Sequence, residues 1–365
     1  MLIIDPSLPS IPAEVAQRYA EAGGALASRV SERLAHHPGL PAYLGGNPFR
    51  LLETNHRNHA AFMAEVLRTN NLALLVKTLP WVYHAYHNQG IAFDYFATEL
   101  ALWMEAIPER LPRADAELIL PIYRWMARLH PETIQAAKVY TSDAPPIPLD
   151  LHLAYDSILE RLLAGDHEAV LERARGLLDE GLSFPQLLQM IFFPAMVEVG
   201  TRWEQGRLSV AMEHQATAMT YRVLAALYYD QPFPSGMRGR ALVASVTNEF
   251  HELGAWMVTT CLELDGWEIT FLARDCPAED LVQTALAERP AFVGLSVTMP
   301  LHIQAARETI AALRAALGPA STTKILVGGR AFMSDPGLFA SVGADLFLPD
   351  CESIVEWART LAGAA

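Results

Sequence analysis

The chain has 365 residues, 52% of them apolar and 9% aromatic, which fits two or three folded domains and excludes a disordered one. Its formal charge of −14 comprises 12 basic against 15 acidic side chains in residues 1–150 and 15 against 26 in 151–365, so neither half offers the basic surface that grips nucleic acid. No apolar run nears the roughly 20 residues of a membrane span, no signal-peptide pattern opens the chain, and Cys261, Cys276 and Cys351 form no C-x-x-C pair. A soluble, cytoplasmic protein without a disulfide framework or zinc site is expected.

Residues 1–141 read as a helical domain. After a lead-in with Pro6, Pro9 and Pro12, the spacing predicts helices over Glu14–Leu34, Phe49–Leu67, Leu72–Gln89, Phe93–Ile107 and Asp115–Leu129. Gly90 and the Pro108/Pro112 pair separate the later ones. The domain is rich in rings: Trp81, Tyr83, His84, Tyr86 and His87, then Phe93, Tyr95, Phe96 and Trp103. His84/His87 and His56/His59 are spaced to share a helix face. Such a stripe commonly forms core; the alternative is a pocket for a flat conjugated ligand, with rings stacked on its faces and histidines at its carboxylates. No cysteine lies here to tether such a ligand. Residues 142–149, with Pro145, Pro146 and Pro148, read as a stiff linker.

Residues 150–232 predict four helices, Leu151–Leu163, Glu168–Glu180, Pro185–Gln205 and Ser209–Tyr228, joined by short loops as in an antiparallel bundle. Asp166 and Ser183 are the expected N-caps. Trp203, Glu213 and His214 stand out; singly, each reads as a boundary residue.

Residues 238–365 alternate strand and helix. Strands are expected over Arg240–Thr247, Trp267–Ala273, Ala291–Thr298, Lys324–Val327 and Ala344–Leu348. Helices are expected over Leu253–Leu264, Ala278–Glu288, Leu301–Leu317, Asp335–Val342 and Ser353–Leu361. Near-continuous apolar strands between amphipathic helices predict a doubly wound parallel sheet, so the whole chain is α/β plus all-α. Three strand-end loops carry the chemistry: Glu249–Gly254, Ser296-Val297-Thr298 and Gly328-Gly329. His251 is presented at the carboxyl edge of the sheet, where open α/β folds bind ligands. Glu249, two residues before it, is placed to fix its tautomer.

E-x-H-x-x-G, then S-x-T, then G-G, in that order, resembles the cobalamin-binding domain family, flavodoxin-like in fold, with the preceding four helices resembling its cap. The resemblance implies His251 as the lower ligand of the cobalt of cobalamin, with Ser296, Thr298, Gly328 and Gly329 lining a slot for the displaced nucleotide tail. Glu249 and Gly254 belong to the same loop. Trp203 followed after nine residues by Glu213-His214 resembles the W-x9-E-H pattern of the CarH-type adenosylcobalamin photoreceptors. There the tryptophan covers the adenosyl group, the glutamate hydrogen-bonds it, and light releases it. Two departures stand: Glu204 occupies the place of a histidine that captures cobalt after photolysis, and an acidic, aromatic-rich N-terminal domain replaces a basic helix-turn-helix. The latter architecture resembles the photocobilins. It implies biliverdin as a second, non-covalent chromophore near Trp81, His84, His87 and Tyr95. The expected protein is thus a light sensor and not an enzyme, a homo-oligomer that changes its quaternary arrangement. A corrinoid methyl carrier of a methyltransferase system and a non-photochemical cobalamin sensor are the alternatives.

Overall fold

The computed structural model describes residues 2–142, 144–333, 335 and 337–362, the last without its side chain. It divides into two compact units, residues 1–142 with Glu204–Arg207, and residues 143–203 with 208–365.

The first unit is helical: α1 (Ala13–Ala35), α2 (Leu40–Leu44), α3 (Arg50–Thr69), α4 (Leu72–Asn88), α5 (Asp94–Arg110), α6 (Arg113–Arg128) and α7 (His130–Lys138). Helix α1 packs along α3 and α5, and α4 packs on α7. Of the predicted ring stripe, Tyr83, Tyr95, Phe96 and Trp103 are core, where Tyr19 and Tyr123 join them. Their polar atoms are satisfied inside it: Tyr19 and Tyr123 hydroxyls lie 2.6 Å apart, and Asn55 Nδ2 donates to Tyr95 Oη at 2.9 Å. The expectation that Pro108 ends a helix fails, because α5 runs through it to Arg110. Pro108 falls in the last turn, where the carbonyl it disturbs is near the helix end and the burial of Ala106 and Ile107 holds the turn. Helix α7 was not expected; Pro131 in its first turn is the signal for it.

The second unit begins with the cap helices α8 (His152–Ala164), α9 (His167–Asp179), α10 (Phe184–Leu187), α11 (Phe193–Glu204) and α12 (Val210–Tyr228). Asp166 accepts from the Ala169 N–H, and Ser183 with Gln186 forms a capping box. The single helix expected over Pro185–Gln205 is instead interrupted by a π-turn, Leu188–Phe192. Pro194 follows after Phe193, and a widened turn accommodates a ring that has no N–H to donate to the ordinary ladder.

The sheet domain follows as β1 (Arg240–Ser245), α13 (Leu253–Leu264), β2 (Glu268–Phe271), α14 (Ala278–Glu288), β3 (Phe292–Ser296), α15 (Ile303–Leu317), β4 (Lys324–Gly328), α16 (Arg330–Met333), α17 (Leu338–Ser341), β5 (Leu346–Phe347) and α18 (Cys351–Ala362). All strands are parallel in the order β2-β1-β3-β4-β5. One helix was expected over Asp335–Val342; the structure has α16 and α17, and Ser334 and Pro336 lie outside the described residues. The cap and sheet share a core: Leu187, Ile191 and Leu224 cluster with Met257 and Cys261 of α13 and Cys351 of α18. The cap is therefore seated against α13 and the start of α18 by buried apolar packing.

Candidate cobalamin site

The strand order places the loops after β1 and β3 where the chain's winding reverses, the crevice at which such sheets bind ligands. The β1–α13 loop is held there from several directions. Asn248 adopts a left-handed conformation, φ 65°, and its N–H donates to Asp275 Oδ1 at 2.7 Å. Ser245 Oγ donates to the His251 carbonyl at 3.2 Å, and Arg274 N donates to Glu252 Oε2 at 3.0 Å.

Glu249 is completely buried and acts as the hub. Its Oε1 accepts from His251 Nδ1 at 2.6 Å and His251 N at 3.1 Å. Its Oε2 accepts from Thr298 N at 2.8 Å, Met299 N at 2.9 Å and His302 Nδ1 at 3.0 Å. Burial pushes its carboxyl upward, but the bonds from His251 and His302 outweigh this and hold it well below the usual carboxylate range. Crowding lowers the basicity of His251, yet the Glu249 hydrogen bond and charge overcome that and raise it. With Nδ1 committed to Glu249, Nε2 has no partner among the described residues, and 59% of the side chain is exposed. That is the tautomer and presentation of a metal-ligating imidazole.

The S-x-T and G-G segments lie side by side, with Ser296 paired in register with Gly328. The Ser296 and Thr298 hydroxyls are half-buried and make no hydrogen bond among the described residues, so they remain available to a polar ligand. Gly329 has φ 96°, and a Cβ there would come within 2.4 Å of the Val297 carbonyl oxygen. Gly254 differs: a Cβ there would meet nothing within 4 Å. Its missing side chain leaves open space beside His251, as a bulky planar ligand above that loop requires. The residues present therefore fit cobalamin, and His251 is the residue of this loop that could hold a metal through its free Nε2.

On the cap, Trp203 lies in the last turn of α11 and packs half-buried against the shared core. Glu213, in the first turn of α12, accepts from Thr217 Oγ1 at 2.9 Å and from His214 Nδ1 at 2.6 Å. His214 is otherwise exposed. The charge of Glu213 reaches His251 and adds to the rise in its basicity. Arg330, directly after the G-G pair, acts on the same ring in the opposite sense.

Sequence reasoning missed His302 and Arg330. His302 had a signal, a histidine four residues beyond Thr298 at the same sheet edge. The four bilin candidates are each engaged within the first unit. Tyr95 is core; Trp81 Nε1 donates to Glu204 Oε1 at 2.9 Å; His84 Nδ1 meets the Ala137 carbonyl at 2.9 Å. His87 stacks on Phe93 with ring centroids 3.8 Å apart. None of the four lines the groove of about 450 Å³ between α1 and α3, which is bounded by Ser28, Ser31, Phe49 and Arg57.

Comparison with known proteins agrees with this geometry. Residues 154–228 and 239–356 each match a family model described as a B12 binding domain. The HTH-type transcriptional repressor CarH of Myxococcus xanthus is 32% identical over 191 residues, 52% of this chain and 62% of that protein. The dimethylamine corrinoid protein of Methanosarcina barkeri is 27% identical over 195 residues, 53% of this chain and 88% of that protein. The solved monomethylamine corrinoid protein of Methanosarcina barkeri matches with a TM-score of 0.50 at 16% identity, covering 59% of this chain and 100% of that one, a likeness of fold. The chain thus spans less than two thirds of the repressor. Its cap and sheet domain are a cobalamin-binding module.

Proposed function

Starting from a cobalamin-binding module, we propose that the protein is a light sensor that binds adenosylcobalamin. The observation that carries this reading is the placement of Trp203 and Glu213 on the cap, with the Glu213 charge reaching His251. An indole is suited to cover an adenine ring, and a carboxylate accepts hydrogen bonds from ribose hydroxyls. The cofactor, when bound, supplies a cobalt–carbon bond that light breaks. The chain's own part is to hold the lower face through His251 and Glu249, seat the tail beside Ser296, Thr298, Gly328 and Gly329, and register the upper group through Trp203 and Glu213. His214, bonded to Glu213, orients that carboxylate. Loss of the upper group removes what Trp203 and Glu213 bind and biases the cap toward a second arrangement, changing the homo-oligomer. The role is one of sensing in the cytoplasm, without catalysis and without a nucleic-acid partner.

Biliverdin, held non-covalently in the first unit, is the second chromophore of this reading, supported by a cysteine-free, ring-rich domain. Purification after co-expression with haem oxygenase tests it: a red or far-red band is expected, and its absence counts against the bilin. Irradiation of the adenosylcobalamin-loaded protein tests the main reading. The visible spectrum is expected to convert, and an unchanged spectrum contradicts the proposal.

The dimethylamine corrinoid relative supports a second reading, a methyl carrier of a methyltransferase system. It uses the same lower-face residues and needs nothing bulky above the cobalt. Tighter binding of methylcobalamin than adenosylcobalamin would favour it.

A further inference from the structure

Glu204 follows Trp203 in the last turn of α11, yet it is structurally part of the first unit, as are Gln205, Gly206 and Arg207. It is buried, 7% exposed, and every oxygen it has is engaged there. Oε1 accepts from Trp81 Nε1 at 2.9 Å, Oε2 from Ser142 Oγ at 2.6 Å, and the carbonyl from Asn88 Nδ2 at 3.0 Å. Asn88 Nδ2 also lies 3.0 Å from His84 Nε2, whose Nδ1 faces the Ala137 carbonyl at 2.9 Å, so His84 is the Nδ1–H tautomer and accepts from Asn88. The turn closes on Gly206, φ 68°, where a Cβ would come within 2.6 Å of the Asn88 carbonyl oxygen. A carboxylate, a glycine and the last two turns of α4 are thus fitted to one another.

We infer that Glu204 is the relay through which the first unit registers what occupies the upper face of the cobalt. The inference rests on the reading of Trp203 as the cover of that face. Trp203 and Glu204 share a peptide bond within a helical turn, so their side chains cannot rotate independently about the α11 axis. A shift of Trp203 when the upper group changes must turn Glu204 against Trp81, Ser142 and Asn88. Because a buried carboxylate left without its donors is costly, these three bonds let go or follow together. Trp81 and His84 are by this account parts of the relay. A carboxylate committed to two donors also leaves the upper cobalt position to another group.

Hydrogen exchange of the full chain, kept in the dark and loaded with either adenosylcobalamin or hydroxocobalamin, tests this without light. The expected result is exchange at residues 84–89 and 204–207 that is roughly fivefold or more faster with hydroxocobalamin. In Glu204→Ala, those amides are expected to exchange rapidly with both forms while the cobalamin spectrum is unchanged; Glu204→Gln, which keeps an acceptor for Trp81, restores the difference. Should Glu204→Ala not fold, Trp81→Phe removes one donor and is expected to shrink the difference. A wild-type chain without the difference, or a Glu204→Ala or Trp81→Phe chain that keeps it whole, overturns the relay. Adenosylcobalamin binding by Trp203→Ala as tight as by wild type overturns the reading of Trp203 instead.

Discussion

Glu249 accepts bonds from His251 Nδ1 and N, Thr298 N, Met299 N and His302 Nδ1, which makes one buried carboxylate the fastening of the loops after β1 and β3. Glu249→Gln keeps the shape but turns an amide donor toward donors that then have no acceptor. Cobalamin affinity is expected to fall roughly 10–100-fold, as for other groups that orient a metal-bound histidine; spectral titration measures it, and an unchanged affinity would separate the hub from the site. In the first unit, Glu99 is buried with only neutral donors, Asn55 Nδ2 at 3.2 Å and Trp103 Nε1 at 3.3 Å, and burial pushes its carboxyl up to about 7. Burial also lowers His56 to about 4 and His59 to about 3. The signs oppose. Glu99 contributes stability below its unfolded pKa of 4.5 and loses it as pH rises through about 7. The histidines contribute above 6.5 and lose it as pH falls toward 4 and 3. Glu99→Gln, which mimics the neutral acid, is therefore expected to stabilise the unit at pH 8 by up to about 3 kcal/mol and hardly at all at pH 5. Thermal unfolding at the two pH values measures it; an equal effect at both would show that Glu99 does not titrate as described.

At the scale of elements, the two kinds of glycine in the site make opposite predictions. Gly254 is the second residue of α13 with open space beside it, so Gly254→Ala should leave the free protein as stable or stabilise it by about 0.5–1 kcal/mol. It should nevertheless weaken cobalamin binding, because the new methyl takes the ligand's space. Gly329→Ala meets the Val297 carbonyl in a left-handed conformation and should lower thermal stability by about 1–3 kcal/mol even without ligand. Melting curves with and without cobalamin separate the two, and parallel behaviour would contradict the assignment. The cap makes its own prediction: Trp203→Ala should weaken adenosylcobalamin more than hydroxocobalamin, which lacks the group the indole is proposed to cover.

The sheet was legible because period, length and turn residues agree: β1, β3 and β4 fall within or beside the strands expected from apolar runs. Asp166 and Ser183 were legible as caps for the same local reason. What depended on long-range placement was not. The π-turn before Pro194 and the continuation of α5 through Pro108 depend on how the surrounding core holds a strained turn. His302 reaches Glu249 across 53 positions, and Trp81 reaches Glu204 across 123, distances over which pattern carries no information. The rings of the first domain suited a core more readily than a pocket, but pattern alone could not say which ring went where; Tyr95 and Trp103 are core, and Trp81 and His84 are hydrogen-bonded structure.

For the molecule as a whole, the cap and the sheet domain share one apolar core, so a change on the cap's inner face is felt by α13 and α18 beneath it. Among the described residues no helix is long and apolar enough to cross a membrane, and no cluster of histidine, cysteine and carboxylate could hold a free metal ion. In the proposed reading, a signal formed at the cobalt leaves as a rearrangement of the protein itself. Gel filtration of the adenosylcobalamin-loaded chain, run in the dark and after illumination with the visible spectrum recorded on the same fractions, tests this most directly. The account predicts a converted spectrum together with a shifted elution volume; an unchanged spectrum and a superimposable profile would contradict it.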